Sequence, residues 1–451
     1  MKFTIENLGK IKQADIELGE LTVICGGNGT NKTWLSYLIY HYLNHIYYSK
    51  NMVHELVEEV YQELKSKGKY KVEINKISNL VRNNLTEQLS ELDKSIHDAF
   101  NTSSNTFKDT NVSVELDDFI SSSLSEKYTS KKDGFTSEED EEFLSFFTHD
   151  DFNDTIEGRV RYDIGTSILA TIIPENFDAP YIITSERTGA ALFQPDIDRS
   201  TIAINKILKE LSSSNYESSK ILLDELISDN KKQQSYALPI QQNLKDIRNL
   251  EKSRKKQNSF SQRNKSVIKI LDQINNGDYK LIQGDLYFVN NKKSTPIAIS
   301  SSAAKSQFLL DHYIKYDIGI KSIILIDEPE LNLHPDNQKL MARLLVRLVN
   351  HGCKIMITTH SDHLIREINN CLMLNNDFDN KSDFMDKYGY EECDQLKPSK
   401  IRTYSIKEDG TVKDHIVGKF GVEQSIFDEI ISESSKIQFE LVEAIAPDMF
   451  E

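Results

Sequence analysis

The chain has 451 residues, of which 38% are hydrophobic and 27% are charged, and its formal net charge is −16. This composition is typical of a globular protein with two or three domains, and the negative charge argues against a protein that coats nucleic acid over its whole surface. No apolar run approaches the ~20 residues that span a bilayer, and the first residues do not resemble a secretory signal. We therefore expect a cytoplasmic protein without membrane contact, whose four cysteines are free thiols.

The first predicted elements are a strand, a glycine-rich loop and a helix within residues 21–47. Residues 26–33 match the phosphate-binding pattern G-x-x-x-x-G-K-[ST], except that Asn31 replaces the second glycine. Asparagine tolerates the positive φ that this glycine supplies, so the loop can still direct N–H groups at phosphates. Lys32, expected to be exposed, would reach the β- and γ-phosphates of a nucleotide, and Thr33 would bind Mg²⁺. The predicted nucleotide-binding residues of this loop are Gly26, Gly27, Asn28, Gly29, Thr30, Asn31, Lys32 and Thr33. The alternative is an ordinary glycine turn before a helix.

A long interval separates this loop from the next motif. Lys32 and Asp327 are 295 residues apart (327 − 32). A single nucleotide-binding domain needs fewer residues, so the interval must contain insertions. We predict a head formed by residues 1–50, 158–199 and 278–451, a helical and polar insertion at 51–157, and a projecting helical arm at 200–277.

The predicted arm carries basic residues between positions 245 and 269. They form either a solvated helical face or a contact surface for a partner protein or for the phosphates of a nucleic acid. After the arm, residues 278–289 are predicted to form a β-hairpin that turns at Gly284-Asp285.

A buried strand is predicted at residues 323–327, because the run is apolar and mostly β-branched. It ends in Asp327 and Glu328, two adjacent carboxylates that are costly to hold together without a cation. Asp327 suits a Mg²⁺ ligand, and Glu328 suits a general base that activates a water. The alternative is an acidic turn after a core strand.

Another apolar strand is predicted to follow a helix and to end at His360. This residue would lie at the carboxyl edge of the sheet, where ligands bind in open α/β folds. His360 is therefore a candidate for a group that contacts the γ-phosphate or the attacking water. A strand-end histidine without a ligand is the alternative. A second hairpin is predicted further on, with its turn at residues 408–410.

These segments resemble the ABC-type ATPase heads of the OLD family and its relatives. The relatives include structural-maintenance-of-chromosomes proteins and ATPase subunits of anti-phage systems of the PARIS and Septu type. The resemblance covers about residues 1–50, 180–200 and 280–435. It is carried by an opening hairpin at 3–23, a Glu-Arg-x-Gly element at 184–189, a degenerate signature at 296–303, a D-E-P-E…L-H-P segment at 326–335, and a T-T-H-S segment at 358–361.

The resemblance implies an ABC-ATPase-like α/β head, with a mixed β-sheet flanked by helices and helical insertions. It implies ATP and Mg²⁺ as cofactors, and a homodimer or higher oligomer in which each loop faces Ser301 or Ser302 of another copy. Asn31 and Ala303 depart from the family glycines, which bears on the hydrolysis rate. Without the resemblance, the serines before Ala303 are interpreted as a helix cap.

The functional expectation is an ATP-binding and ATP-hydrolysing sensor or scaffold subunit of an anti-phage defence system, which controls a separate nuclease or toxin. The 91 residues after His360 (451 − 360) are too few for the nuclease domain of OLD proteins, so an effector would be another chain. Contact with a nucleic acid or a phage protein is a further expectation. The alternatives are a DNA-repair or chromosome-organising ATPase, and an ATP-binding module with little or no hydrolysis.

Overall fold

The computed structural model describes residues 1–48, 50–116, 129–132, 135–140, 142–149, 157–171, 179–192, 236–254, 258–319 and 322–422. The first part of the predicted arm, residues 200–235, and the tail after Val422 lie outside the described residues. Across those ranges, none of the helices combines the length and hydropathy that a membrane span requires.

The described elements include both helices and strands. The helices are α1 (Lys32–Tyr48), α2 (His54–Lys67), α3 (Ile74–Leu92), α4 (Ile96–Phe100), α5 (Glu157–Ala170), α6 (Leu238–Arg248), α7 (Leu250–Ser253), α8 (Ser259–Arg263), α9 (Lys265–Asn275), α10 (Ser302–His312), α11 (Pro335–Asn350), α12 (Asp362–Met373) and α13 (Lys381–Tyr388). The strands are β1 (Lys2–Leu8), β2 (Ile11–Glu17), β3 (Leu21–Gly26), β4 (Lys69–Glu73), β5 (Asn111–Glu115), β6 (Thr129–Lys132), β7 (Phe135–Glu139), β8 (Phe143–Thr148), β9 (Tyr181–Ile183), β10 (Asp278–Ile282), β11 (Asp285–Asn290), β12 (Lys293–Pro296), β13 (Ile323–Asp327), β14 (Lys354–Thr359), β15 (Ile401–Ile406), β16 (Val412–His415), β17 (Val417–Gly418) and β18 (Gly421–Val422).

A six-stranded sheet with the order β16-β15-β3-β14-β13-β9 forms the centre of the protein. Five of its strands are parallel, and β16 is antiparallel to β15. The predicted fold class, a mixed sheet flanked by helices, is confirmed. Because the strands are parallel, the carboxyl ends of β3, β13 and β14 meet at one edge. This edge brings together the segments that the sequence analysis singled out.

Both faces of the sheet are covered, as its continuous apolar runs require. Leu325 packs into one hydrophobic core with α1, α2 and α3. Its neighbours Ile324 and Ile326 point the other way and pack into a second core with α9, α11 and α12. The period of two along a strand therefore divides one apolar run between two cores.

The interval 51–157 contains more β-structure than the predicted helical and polar insertion. Besides α2, α3 and α4 it holds an antiparallel sheet with the order β4-β8-β7-β6, and β5 pairs with β1. Val72, Leu144 and Phe146 lie on the buried face of this sheet. These residues alternate with polar ones only over short strands, which lie beside acidic and serine-rich segments. Because the alternation is so short, the strands were not predicted from the sequence. The predicted domain boundaries remain a prediction.

The described part of the predicted arm packs on the head and does not project from it. Val267, Ile270, Leu271 and Ile274 of α9 are buried in the core that α11 shares. Their spacing of i, i+3, i+4 and i+7 gives α9 one apolar face, which explains the packing. The basic side chain of Arg254 is also turned inward, donating to the carbonyl of Tyr279 at 3.0 Å.

The predicted hairpins are present. β1 pairs with β2, and β15 pairs with β16 across a turn in which Gly410 has φ 82°. The hairpin of β10 and β11 turns at Gln283-Gly284, one residue earlier than predicted, and β12 adds a third strand that was not predicted.

Candidate functional site

The glycine-rich loop connects β3 to α1. Gly26 has φ 156°, and a Cβ there would lie 2.5 Å from the carbonyl oxygen of Ile406, so only glycine fits. Asn31 has φ 67°, which confirms that asparagine takes the left-handed conformation of the missing glycine. Its Oδ1 also accepts a hydrogen bond from the Lys10 backbone N–H at 2.9 Å, a contact that the sequence did not reveal.

Lys32 is nearly buried, which corrects the prediction that it is exposed. Its side chain is 6% exposed and folds back over the loop. There Nζ donates to the carbonyls of Gly26 and Gly27, both at 2.8 Å. Burial lowers the pKa of Lys32, and the nearby carboxylates of Glu328, Asp327 and Glu330 oppose this. The ammonium group is thus held at the loop without a direct ion pair among the described residues.

The loop and the carboxylate strand meet through Thr33 and Asp327. The Thr33 hydroxyl donates to Asp327 Oδ2 at 2.8 Å. Asp327 is fully buried, and its other oxygen accepts a hydrogen bond from the Thr358 hydroxyl at the end of β14. Burial raises the pKa of Asp327, although hydrogen bonds from Thr358, Thr33 and Ser185 lower it. The hydrogen bonds to this carboxylate come from hydroxyl groups, and no cationic side chain among the described residues is bonded to it.

Glu328 and His360 face each other at the same edge. His360 Nδ1 lies 3.1 Å from Glu328 Oε1. This hydrogen bond lowers the pKa of Glu328 and raises the pKa of His360. Glu328 has φ 50°, an unusual conformation for a non-glycine residue, and its side chain is 22% exposed. An ionised carboxylate is thus held within reach of solvent.

Glu330 forms hydrogen bonds with the segment that carries His360. Its Oε1 accepts hydrogen bonds from the Thr359 hydroxyl at 2.6 Å and from the backbone N–H of His360 at 3.0 Å. Burial raises the pKa of Glu330. Glu330 belongs to the D-E-P-E segment, but the sequence indicated no role for it.

A protein-family model described as the AAA ATPase domain matches residues 1–365. The chain belongs to the AAA ATPase domain family. No curated protein sequence matches it. Among solved structures, the Smc head domain with an extended coiled coil bound to the C-terminal domain of ScpA, from Pyrococcus furiosus, is 13% identical with a TM-score of 0.31, covering 97% of this chain and 98% of that chain. The SmcHead bound to the C-winged helix domain of ScpA is 11% identical with a TM-score of 0.33, covering 92% and 96%. At these scores the likeness adds nothing to the family assignment, and the narrower OLD resemblance stays a prediction.

In this AAA ATPase domain the predicted signature serines lie at the N-terminus of a helix. Ser301 and Ser302 are exposed at the start of α10. The Ser301 hydroxyl accepts from the Ala304 N–H at 3.2 Å, which is the capping role weighed as the alternative. Within the described residues, no hydrogen bond joins either serine to residues 26–33. The other predicted loop residues, Gly27, Asn28 and Gly29, are exposed, whereas Thr30 is buried.

The AAA ATPase domain also contains a buried arginine that the predicted site omitted. Arg187 is 1% exposed and donates to the carbonyls of Asp327 at 2.7 Å and Glu328 at 2.6 Å. The Glu-Arg-x-Gly element was the available signal, but nothing in the sequence linked it to the carboxylate strand.

Proposed function

We propose that this AAA ATPase domain hydrolyses ATP with the help of Mg²⁺. The contact of Thr33 with Asp327 carries the proposal, because it joins the phosphate loop to the carboxylate strand across the whole intervening chain. Lys32 and the N–H groups of residues 26–33 would hold the phosphates, aided by the N-terminus of α1.

The residues present fit Mg²⁺. Thr33 and Asp327 offer a hydroxyl and a carboxylate, the hard oxygen donors that this ion prefers. The Asp327 carboxylate is buried with no cationic side chain bonded to it among the described residues, so a divalent cation would offset the cost of its burial. When bound, the ion would neutralise charge on the phosphate oxygens.

Glu328 is the group best placed to receive a proton from the attacking water. The hydrogen bond with His360 holds its pKa below the ordinary value, so it is ionised at neutral pH. His360 orients that carboxylate, and its exposed ring is available to contact the γ-phosphate or the water. Glu330 fixes the backbone of His360 and so keeps the pair in place.

Phosphate release tests this function, with Glu328→Gln as the decisive variant. Hydrolysis by the wild type should require Mg²⁺ and stop when EDTA is added. Glu328→Gln should bind ATP with unchanged affinity but turn over about 10²-fold more slowly, since the amide retains the shape and loses the base.

Glu17→Gln is the matched control, because Glu17 also has its pKa lowered by a basic partner, Arg402, but lies on β2 outside the site. It should hydrolyse ATP at the wild-type rate. Equal turnover by Glu328→Gln and Glu17→Gln would contradict the role of Glu328. Absence of hydrolysis in the wild type, with ATP bound, would favour a binding module that does not hydrolyse.

We further propose that two copies bind ATP between them, on the basis of the OLD-type resemblance and the exposure of Ser301 and Ser302. Each serine would then face the phosphate loop of the other copy. Sedimentation of Glu328→Gln with MgATP should show a dimer, and Ser302→Arg should abolish it without changing the circular dichroism spectrum. A monomer under saturating MgATP would contradict this arrangement.

The sensor or scaffold role in anti-phage defence, with a separate nuclease or toxin as effector, is supported by the sequence resemblance alone. We propose that the ATP state controls the effector. Cells carrying the gene and its neighbours should resist phage, and Lys32→Ala should remove that resistance. Equal phage titres on cells with and without the wild-type genes would contradict the defence role.

A further inference from the structure

Arg187 carries a buried charge that is held by backbone carbonyls. Its Nε donates to the carbonyl of Ser306 at 2.8 Å. Its Nη1 donates to the backbone carbonyl of Thr184 at 3.0 Å and to that of Asp327 at 2.7 Å. Its Nη2 donates to Glu328 at 2.6 Å. No carboxylate side chain forms an ion pair with it among the described residues. Burying a cation in this way is costly unless several dipoles surround it, so the position demands an explanation beyond packing.

The four carbonyls belong to three segments that the site depends on. Thr184 follows β9, Asp327 ends β13 with Glu328 next to it, and Ser306 lies on α10, the helix whose start carries the exposed serines. The same helix makes a second contact with the carboxylate segment. The hydroxyl of Ser306 lies 2.9 Å from the carbonyl oxygen of Leu331 and 3.0 Å from that of Ala303, and its proton is shared between these two acceptors. Arg187 and α10 therefore bond to the chain on both sides of the turn that carries Glu328.

The backbone of Glu328 needs such support. A φ of 50° is unfavourable for a residue with a Cβ, and such conformations persist only where the surroundings fix them. The N–H of Glu328 donates to the carbonyl of Thr358 at 3.0 Å, and its own carbonyl accepts from Arg187 at 2.6 Å and from the Leu331 N–H at 3.0 Å. These bonds hold the peptide groups on either side of the Cα. The direction of the Glu328 side chain, and with it the contact to His360, follows from this conformation.

We propose that Arg187 is a positioning residue for ATP hydrolysis. It holds Glu328 in the left-handed conformation that directs its carboxylate to His360, and it connects that conformation to the position of α10. Occupation of the serines at the start of α10 would thus affect the carboxylate of the same chain. This inference rests on the proposed hydrolytic function. It assigns Arg187 no contact with the nucleotide.

Arg187→Lys tests the proposal, because lysine keeps the charge but its single nitrogen cannot reach four carbonyls in the geometry of the guanidinium. We expect kcat to fall about 10²-fold, since small displacements of a reacting group have effects of this size. The Kd for ATP should stay within about threefold of the wild-type value, because Lys32 and the loop are unchanged.

The matched control is Arg347→Lys. Arg347 is 3% exposed and also donates to a carbonyl, that of Ser266 at 2.9 Å, but its main partner is Asp394 and it lies outside the site. Folded Arg347→Lys should retain the wild-type kcat. An equal loss of kcat in both variants would reduce the role of Arg187 to general stability and overturn the proposal.

The decisive arm combines Arg187→Lys with Glu328→Gln. If Arg187 acts through Glu328, adding Arg187→Lys to the Glu328→Gln variant should lower kcat by less than about threefold. Additive losses, or an Arg187→Lys variant with wild-type kcat, would overturn the proposal. If Glu328→Gln itself has the wild-type kcat, the proposed function fails first, so the two failures are distinguishable.

Ser306→Ala provides a second route should Arg187→Lys fail to fold. It removes the hydroxyl contact to Leu331 and leaves every charge in place. We expect a severalfold loss of kcat that disappears in the Glu328→Gln background. An unchanged kcat in folded Ser306→Ala would overturn the connection between α10 and the carboxylate.

Discussion

Buried charges occur in two regions of this protein and are compensated in different ways. In the first region, two arginines of α11 form direct ion pairs with carboxylates. Arg343 Nε lies 2.5 Å from Glu367 Oε1, and Arg347 Nε lies 2.6 Å from Asp394 Oδ1. Lys315 forms a similar ion pair, with its Nζ 2.8 Å from Asp311 Oδ1. We call these three ion pairs the scaffold pairs.

At the carboxyl edge of the sheet Glu328 pairs with His360, but Lys32, Arg187 and Asp327 form no side-chain ion pair among the described residues. Lys32 and Arg187 donate to carbonyls, and Asp327 accepts from hydroxyls. The scaffold pairs neutralise their own charge and so stabilise the fold. Lys32 and Asp327 have no bonded side chain of opposite sign among the described residues, which leaves Lys32 available to phosphate and Asp327 available to a cation. Stability and ligand binding should therefore respond oppositely to substitutions in the two regions.

The largest contrast is expected between two lysines. Lys32→Ala should weaken ATP binding by about 10²-fold or more, because it removes a charge-assisted contact with phosphate. Lys315→Ala should leave ATP affinity unchanged and lower the free energy of unfolding by about 1–3 kcal/mol, because it leaves Asp311 buried without its cation. Calorimetric titration with ATP and urea denaturation check both results. Normal ATP affinity in folded Lys32→Ala would contradict the loop assignment.

Two aspartates should change stability in opposite directions when measured in EDTA. Asp394→Asn removes the nearest carboxylate of Arg347, leaving only Glu391 at 3.4 Å, and should lower the free energy of unfolding by ~3–5 kcal/mol. Asp327→Asn should raise it, because burial raises the pKa of Asp327 and so penalises the ionised form in the folded state.

The pH dependence of the free energy of unfolding follows from the raised pKa of Asp327. The loss of folding stability caused by ionised Asp327 is complete above the raised pKa of the folded state. It vanishes as the pH falls towards about 3.9, the pKa of an unperturbed aspartate. The advantage of Asp327→Asn should therefore be greatest at neutral pH and disappear on acidification. Destabilisation by Asp327→Asn at neutral pH would remove the distinction between the two regions.

A smaller effect is expected at Asn31. Asn31→Gly relieves the positive φ but loses the bond from the Lys10 N–H, so ATP should still bind and turnover should be unchanged or raised severalfold. Asn31→Ala has the strain without the bond and should be the less stable of the two variants. Turnover and thermal unfolding of the pair test this. Loss of ATP binding in Asn31→Gly alone would mean that the Asn31 side chain contacts the nucleotide.

The smallest effect is expected on the basic surface, where Lys245, Lys252 and Lys265 are exposed. Replacing all three with Gln should leave ATPase activity within about twofold of the wild-type value. If these lysines contact nucleic-acid phosphates, the log–log salt dependence of binding should lose roughly one unit of slope per contact. Unchanged binding would assign them to a solvated face.

Contiguous motifs accounted for the predictable part of the site. The loop, the carboxylate strand and the strand before His360 each carry their signal within a few residues, and parallel pairing then brings their ends together. Asn31 shows that local conformational preference was also predictable. The burial of Lys32 and the carbonyl contacts of Arg187 depend on tertiary packing, to which no local pattern corresponds. Short strands such as β4 and β8 carry too few alternating residues to be recognised.

The metal site is the most direct test of the account. Electron paramagnetic resonance can count Mn²⁺, in place of Mg²⁺, bound to the protein with ATP. We predict one Mn²⁺ per chain for the wild type and for folded Asp394→Asn, and at least tenfold weaker Mn²⁺ binding for Asp327→Asn. Equal Mn²⁺ affinity in Asp327→Asn and the wild type would contradict the claim that Thr33 and Asp327 meet to hold the ion.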